Sequence, residues 1–401
     1  MSPDAGQLPN HTRDAPAPFL AGCPIQGVDA DEGWQWEPGR CIGCMRCVNW
    51  CLNGRSLGSV RGAVVGVLAF VAIVIAATAT PASRAHQLGS DKCPSASGHE
   101  VVRRVALPGN AGFPLLINGT LWITIQNADE TGHARLARVD SASGRLRSYP
   151  VPVDISRLAY GFGSVWITGD GKVVRLDAAS GRVMSIIHGP RMFGPAIAAT
   201  SDGVWVGGAD IYASGQADKT LMHWIYKIDP RRNTVVRQVY LRPTTALDFA
   251  GDGASVWVSG WGGVVKVSRS GRLLFWQRFD GVGWSLARTP DAVWVTQAFS
   301  GNRRGAPQRP LQRLLRIATL GRRKVTTIEL GVQPGDVSAA AGIVWVGPFI
   351  GMSAGLARVD GTQTPPALTG MATGLIPTRI AAFPGGAWVS ERGTHTVSEI
   401  C

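Results

Sequence analysis

One short pattern returns seven times in this chain and constrains its fold more than anything else in it. A small or apolar residue, Trp and a β-branched residue recur as Leu121-Trp122-Ile123, Val165-Trp166-Ile167, Val204-Trp205-Val206, Val256-Trp257-Val258, Val293-Trp294-Val295, Val344-Trp345-Val346 and Ala387-Trp388-Val389. The Trp-to-Trp intervals run from 37 to 52 residues. A turn signal precedes each copy, such as Asn118-Gly119, Asp202-Gly203 or Gly385-Gly386. Most copies are followed by a second strand (LARVD at 136–140, VVRLD at 173–177, IYKID at 225–229) and then by a turn and a third. A short apolar strand such as IAAT (197–200) or RIAAF (379–383) opens each unit. Four short strands per unit of about 40 residues, repeated in series, describe a β-propeller. The expectation is an all-β, seven-bladed β-propeller over 100–401, with each Trp packed between neighbouring sheets.

Composition agrees. The 401 residues include 51 Gly, 25 Pro and 14 Trp, and only 17% are charged, which excludes coiled coils and disorder. The last unit supplies three strands and stops at Cys401, while EVVRRVAL (100–107) precedes the first unit as a spare strand. That strand completes the last blade and joins the chain ends. Seven cysteines lie at 23, 41, 44, 47, 51, 93 and 401, so none falls between 94 and 400. Such spacing suits an extracytoplasmic domain with a Cys93–Cys401 disulfide.

Residues 62–79, GAVVGVLAFVAIVIAATA, carry no charge and no Pro. Eighteen residues approach the length that spans a bilayer, and Arg40, Arg46, Arg55 and Arg61 on the N-terminal side keep that side cytoplasmic. The expectation is a cytoplasmic leader over 1–61, weakly structured, a transmembrane helix or signal segment over 62–79, a linker over 80–99, and the propeller outside a single-pass cell membrane. Secretion after cleavage is the alternative. Within the leader, Cys41-x2-Cys44-x2-Cys47-x3-Cys51 resembles the cluster run of bacterial ferredoxins, which implies a 4Fe–4S cluster; four-thiolate zinc and a leader without metal stay open beside it.

The last repeat, IPTRIAAFPGGAWVSERGTHTVSEI (376–400), resembles the repeats of the virginiamycin B lyase (streptogramin lyase) and YVTN-type bacterial propellers through Pro377, Gly385-Gly386, Trp388 and Glu391. The resemblance implies a propeller, and for the lyases Mg²⁺ held by a His and carboxylates on one face. Only the last repeat has a Glu after its Trp strand, so no catalytic residue is assigned. No HExxH, GxSxG or P-loop occurs.

Net charge is +13, and residues 1–61 hold five Arg against six acids, so the basicity belongs to the propeller. No motif for a specific nucleic acid accompanies it. The long loops gather on the face where each unit begins, and that face is the expected place for a protein or anionic ligand. Its candidate residues are Arg157, Trp261, Trp284, Arg303, Arg304, Arg309, Asp336, Arg379, Glu391 and Arg392. The first three arginines of 301–324, a stretch of eight cations without an acid, suit pairing with phosphate or carboxylate. The functional expectation is a membrane-tethered binding module, with a metal-assisted lyase or hydrolase and an Fe–S redox protein as alternatives.

Overall fold

A computed structural model of the chain describes residues 100–126, 134–140, 143–208, 223–300, 309–320, 324–349, 355–372, 375, 377–391 and 394–401. The chain divides into two compact units, Met1–Ala85 and His86–Cys401, and all described residues belong to the second. The leader, its cysteine cluster, the apolar run at 62–79, the linker and Cys93 lie outside the described residues. Among the described residues no helix is long and apolar enough to cross a membrane.

Every regular element described is a strand. β1 is Val101–Ala106. The first repeat holds β2 (Asn110–Ile117), β3 (Thr120–Gln126), β4 (Arg135–Val139) and β5 (Leu146–Pro150). The second holds β6 (Arg157–Gly161), β7 (Ser164–Gly169), β8 (Lys172–Asp177) and β9 (Val183–His188). The third holds β10 (Phe193–Thr200), β11 (Gly203–Gly208), β12 (Trp224–Asp229) and β13 (Thr234–Tyr240). The fourth and fifth share β14 (Asp248–Asp252), β15 (Ser255–Val267), β16 (Leu273–Arg288), β17 (Ala292–Ser300), β18 (Arg309–Ala318) and β19 (Val325–Glu329). The sixth holds β20 (Pro334–Ala340), β21 (Ile343–Pro348), β22 (Leu356–Asp360) and β23 (Ala367–Ala372), and the last β24 (Pro377–Phe383), β25 (Gly386–Glu391) and β26 (Thr396–Ile400).

These strands build six sheets, so the propeller has six blades and not the expected seven. Five sheets have four strands. The sixth has six, in the order β14-β15-β16-β17-β18-β19, and contains both Trp257 and Trp294. The fusion is made by β16. Its first half pairs with β15 (Val267↔Leu273 to Gly263↔Arg278), and its second half pairs with β17 (Val282↔Phe299 to Arg288↔Val293). Trp261 also pairs with Val282, which carries the β15 ladder across the joint. Gly281 permits this passage. Its φ is +98°, and a Cβ there would lie 1.8 Å from the Phe299 carbonyl oxygen. Two sequence repeats therefore occupy one sheet of double width.

The spare strand behaves as its position suggests. β1 pairs antiparallel with β26, which brings the ends together as Val101↔Ile400, and the Cys401 amide donates to the Glu100 carbonyl at 3.2 Å. Cys401 is buried and disulfide-bonded. The expected partner, Cys93, lies outside the described residues.

The core is a circular series of Trp contacts. Trp122 packs on Val165, Ile167, Val174 and Leu176 of the next repeat, and Trp166 packs on Val204, Val206 and Ile228. Trp388 closes the series against Leu121, Ile123 and Ile125 of the first repeat. None of the seven is more than 3% exposed. Each buries well over 100 Å² of mostly apolar surface, on the scale of several kcal/mol per residue. On the other side of each indole, a cation from the following strand often covers the ring. Arg138 over Trp122, Arg175 over Trp166, Lys227 over Trp205, Lys266 over Trp257, Arg316 over Trp294 and Arg358 over Trp345 lie 4.9–6.0 Å from the ring centroids. In the last repeat Glu399 stands opposite Trp388, and Arg103 of β1 reaches it at 3.6 Å.

Candidate functional site

The inner strands β2, β6, β10, β14, the second half of β16, β20 and β24 neighbour one another in turn and enclose a central channel. One position per repeat faces it. In the cross-strand register the Trp residues stand opposite Leu115, Ala159, Ala198, Ala250, Ala287, Ser338 and Ala381. The positions two before each of these stand at or near the start of the inner strands, and in β2, β10, β16 and β20 they fall where the ladder shifts register. Those positions are Phe113, Arg157, Ala196, Asp248, Ser285, Asp336 and Arg379. All but Ala196 line a cavity of about 250 Å³ at the end of the channel where the inner strands begin. Its walls are completed by apolar side chains such as Leu158, Phe249 and Ile380.

The polar members form a belt across repeats. Arg157 Nη1 lies 3.1 Å from Asp248 Oδ1. Asp248 Oδ2 accepts from the Ser285 hydroxyl at 2.8 Å and from the Leu286 amide at 2.9 Å. Ser285 Oγ stands 3.2 Å from Asp336 Oδ1, and Asp336 Oδ2 accepts from the Ile380 amide at 2.8 Å. The inner strands are sheet edges at these positions, so alternate amides have no partner in the ladder, and those of Leu286 and Ile380 reach the channel carboxylates. The register shift between Gly283 and Leu286 in β16 instead leaves the Ser285 amide to Thr296 Oγ1 at 3.0 Å. A similar shift in β2 aims Phe113 inward, with its amide held by Thr124 Oγ1 at 2.7 Å. Arg379 and Arg157 then flank the Phe113 ring, with guanidinium carbons 4.4 and 5.3 Å from its centroid.

Burial governs the charges. It pushes the Asp336 carboxyl above its ordinary value, with neighbouring Asp248 adding to the rise and Arg379 and Arg157 opposing it. Burial likewise lowers Arg379, against the pull of Asp336. A serine hydroxyl has one proton to give. With Ser285 donating to Asp248, the contact between Asp336 and Ser285 is a hydrogen bond when Asp336 holds its own proton.

Of the candidates expected from sequence, Arg157, Asp336 and Arg379 thus meet in one site. Sequence reading missed Asp248, Ser285 and Phe113, although all three occupy the same place relative to their Trp. Trp284 is half-buried in an aromatic cluster away from the charges, 4.9 Å from Phe349, which also packs 5.1 Å from Phe299. Trp261 is half-buried in β15. Arg309 is exposed at the start of β18. Arg303, Arg304 and Arg392 lie outside the described residues, as do Cys41, Cys44, Cys47 and Cys51, the expected ligands of Fe–S or zinc. Later members of the basic run are paired: Arg313 with Glu329 at 2.9 Å and Arg316 with Asp291. Glu391, one of the residues that carried the lyase resemblance, is buried, and its carboxylate accepts from the Ser398 hydroxyl. Among the described residues no three His, Cys, Asp or Glu side chains are grouped to hold a metal ion such as Mg²⁺.

No family model and no curated protein matches the chain. Solved structures do. A chain of the mitotic checkpoint complex aligns with a TM-score of 0.59 at 11% identity, over 76% of this chain and 96% of its own. The WD40 domain of Pan2 from Neurospora crassa aligns at 0.58 and 11%, over 77% and 96%. A chain of hydrazine synthase from Kuenenia stuttgartiensis aligns at 0.55 and 14%, over 76% and 96%. At these identities the likeness shows the fold alone: the chain is a β-propeller.

Proposed function

We propose that this chain is an exported, membrane-tethered β-propeller that binds an anionic or protein partner. The tether is the apolar run at 62–79, with the propeller outside and secretion as the alternative. The observation that carries the binding reading is a basic and aromatic surface on β13 and the first half of β16. Trp276 of β16 is 46% exposed, a large apolar area to leave in water. Arg237 and Arg278 stand exposed on the same strands, and among the described residues neither has an ion-pair partner. The strands adjoin: a Cβ on Gly271, just before β16, would touch Val239 and Arg237 of β13. Both run toward the face that holds the channel cavity, so Arg278 lies at its rim. Aromatic and arginine side chains are the residue types that dominate protein interfaces.

Binding to immobilised poly-glutamate tests this. The full chain should be retained at low salt and released as salt screens the contact. Replacing Arg237 and Arg278 with Gln, or Trp276 with Ala, should weaken retention several-fold. Unchanged retention in both variants would remove the proposal. The streptogramin-lyase reading rests on the last repeat. Opening a lactone by elimination requires a base, and a metal or cation for the leaving carboxylate. Magnesium-dependent linearisation of a streptogramin B antibiotic, abolished by Glu391→Gln, would replace the binding reading with that one.

A further inference from the structure

We propose that the channel cavity is a binding site for a small organic monocarboxylate, whose carboxylate sits between Arg157 and Arg379 and whose short apolar body fills the space beside Phe113. The site is separate from the outer surface discussed above and does not depend on it.

The argument starts from a count of donors and acceptors. Two guanidinium groups offer ten N–H donors in fixed forks. Among the described residues, Arg379 has one hydrogen bond, from Nη1 to the Thr378 carbonyl at 3.0 Å, and Arg157 has its ion pair with Asp248. The carboxylates have little to offer in return. Asp248 Oδ1 serves the Phe249 amide at 2.9 Å and Arg157, while its Oδ2 serves Ser285 and Leu286. Asp336 Oδ2 serves Ile380, and its Oδ1 faces Ser285. The belt therefore has a surplus of donors and lacks an acceptor. The cavity of about 250 Å³ holds several water-sized volumes.

Charge selects the ligand class. With both carboxylates ionised, the four groups cancel. One bound negative charge is balanced when Asp336 takes a proton, and burial already favours that proton. The groups that face Asp336 are Arg379 from β24, Arg157 from β6, Asp248 from β14 and the Ser285 hydroxyl from β16. A dianion would leave an uncompensated charge in a buried place, which is costly. Most of the surface open in the cavity is polar, and Phe113 with Leu158 and Ile380 gives a short chain of methylene groups a place to pack, each contributing about 0.8 kcal/mol when buried. Ligand uptake is thus coupled to uptake of up to one proton. Affinity should fall as pH rises through the range in which Asp336 titrates, by at most about tenfold per pH unit.

Calorimetric titration of the full chain tests the site, with butyrate as probe and acetate and inorganic phosphate as comparisons, at pH 5.5 and pH 8. Butyrate should bind saturably with one site, more tightly than acetate, and more tightly at the lower pH. Arg379→Gln should weaken it about tenfold or more. Asp336→Asn, which fixes the neutral form, should remove most of the pH dependence while keeping binding. Absence of saturable butyrate binding overturns the proposal, and so does phosphate binding as tight as butyrate. If Arg379→Gln does not fold, the Asp336→Asn profile decides: pH dependence that persists there overturns it. Retention on poly-glutamate is read on other residues, so failure of one proposal leaves the other measurable.

Discussion

The Arg175 guanidinium lies 4.9 Å from the ring of Trp166, which it faces across the β7–β8 ladder, and from there it reaches into the next repeat. Its Nε donates to Ser164 Oγ at 2.9 Å, and Nη1 donates to Asn233 Oδ1 at 2.9 Å and to the Pro230 carbonyl. One side chain therefore covers a core indole and ties the second sheet to the β12–β13 turn of the third. Arg175→Ala should cost roughly 1–3 kcal/mol by urea denaturation, since it removes a cation–π contact and several charge-assisted hydrogen bonds. Arg175→Lys should recover only part, because a lysine cannot reproduce the fork.

The channel belt gives the protein a pH signature. An Asp whose carboxyl is raised in the folded state binds its proton more tightly there than in the unfolded chain. Stability then falls as pH rises from the ordinary Asp range through the raised value. Asp336→Asn should flatten that decline in chemical denaturation measured across pH 4–8. Asp252 has the opposite sign. Burial pushes it up, but hydrogen bonds from Lys266 and Trp257 and the charge of Arg288 outweigh burial and hold it low. Its contribution is lost as pH falls, and Asp252→Asn should remove that acid-side loss.

The joint at Gly281 is the test of the fused sheet. Gly281→Ala places a methyl group against the Phe299 carbonyl at a φ of +98° and should cost at least about 2–3 kcal/mol. Gly253→Ala is the control. Gly253 also has a positive φ, +56°, but nothing lies within 4 Å of an added Cβ, so the loss should be about 1 kcal/mol. Equal losses in the two variants would mean that the joint imposes no steric demand of its own.

Closure of the ring can be checked chemically. Non-reducing digestion of exported protein should yield a peptide linking Cys93 to Cys401, and no free thiol at Cys401. Reduction, or Cys401→Ser, should lower stability by up to about 5 kcal/mol, the chain-entropy figure for a loop of about 309 residues.

How much of this was legible in the sequence follows from what kind of force places each residue. The Trp repeats and the spare strand are set by burial and strand pairing, which leave periodic traces, and both were readable. The fusion of two repeats was not. Gly281 has a positive φ that lets an extended strand pass close to a neighbouring backbone, and the identity of a glycine does not show which conformation it takes. Arg157, Asp336 and Arg379 could be named from the sequence because they are polar residues at strand starts. Asp248 has the same placement, but an acid near a turn reads as solvated, and Ser285 and Phe113 show no charge to notice. The cross-strand register to Trp identifies all of them, and register becomes visible only when strands are paired. The partner of Glu391 was hidden for a related reason: Ser398 is seven residues away in sequence and directly adjacent in the fold.

The pairing of β1 with β26 also fixes an orientation. Ile400 stands opposite Val101 on one side and Ala387 on the other, and Ala387 follows the tight turn that ends the inner strand β24. Arg157, Asp248, Asp336 and Arg379 lie toward the opposite end of their strands. Both the chain entering at Glu100 and the chain ending at Cys401 therefore meet the propeller on its far face, behind the channel mouth. The pairing that closes the ring and the charged cavity thus occupy opposite ends of the channel, so a substitution in β1 or β26 can loosen the closure without touching a residue that lines the cavity.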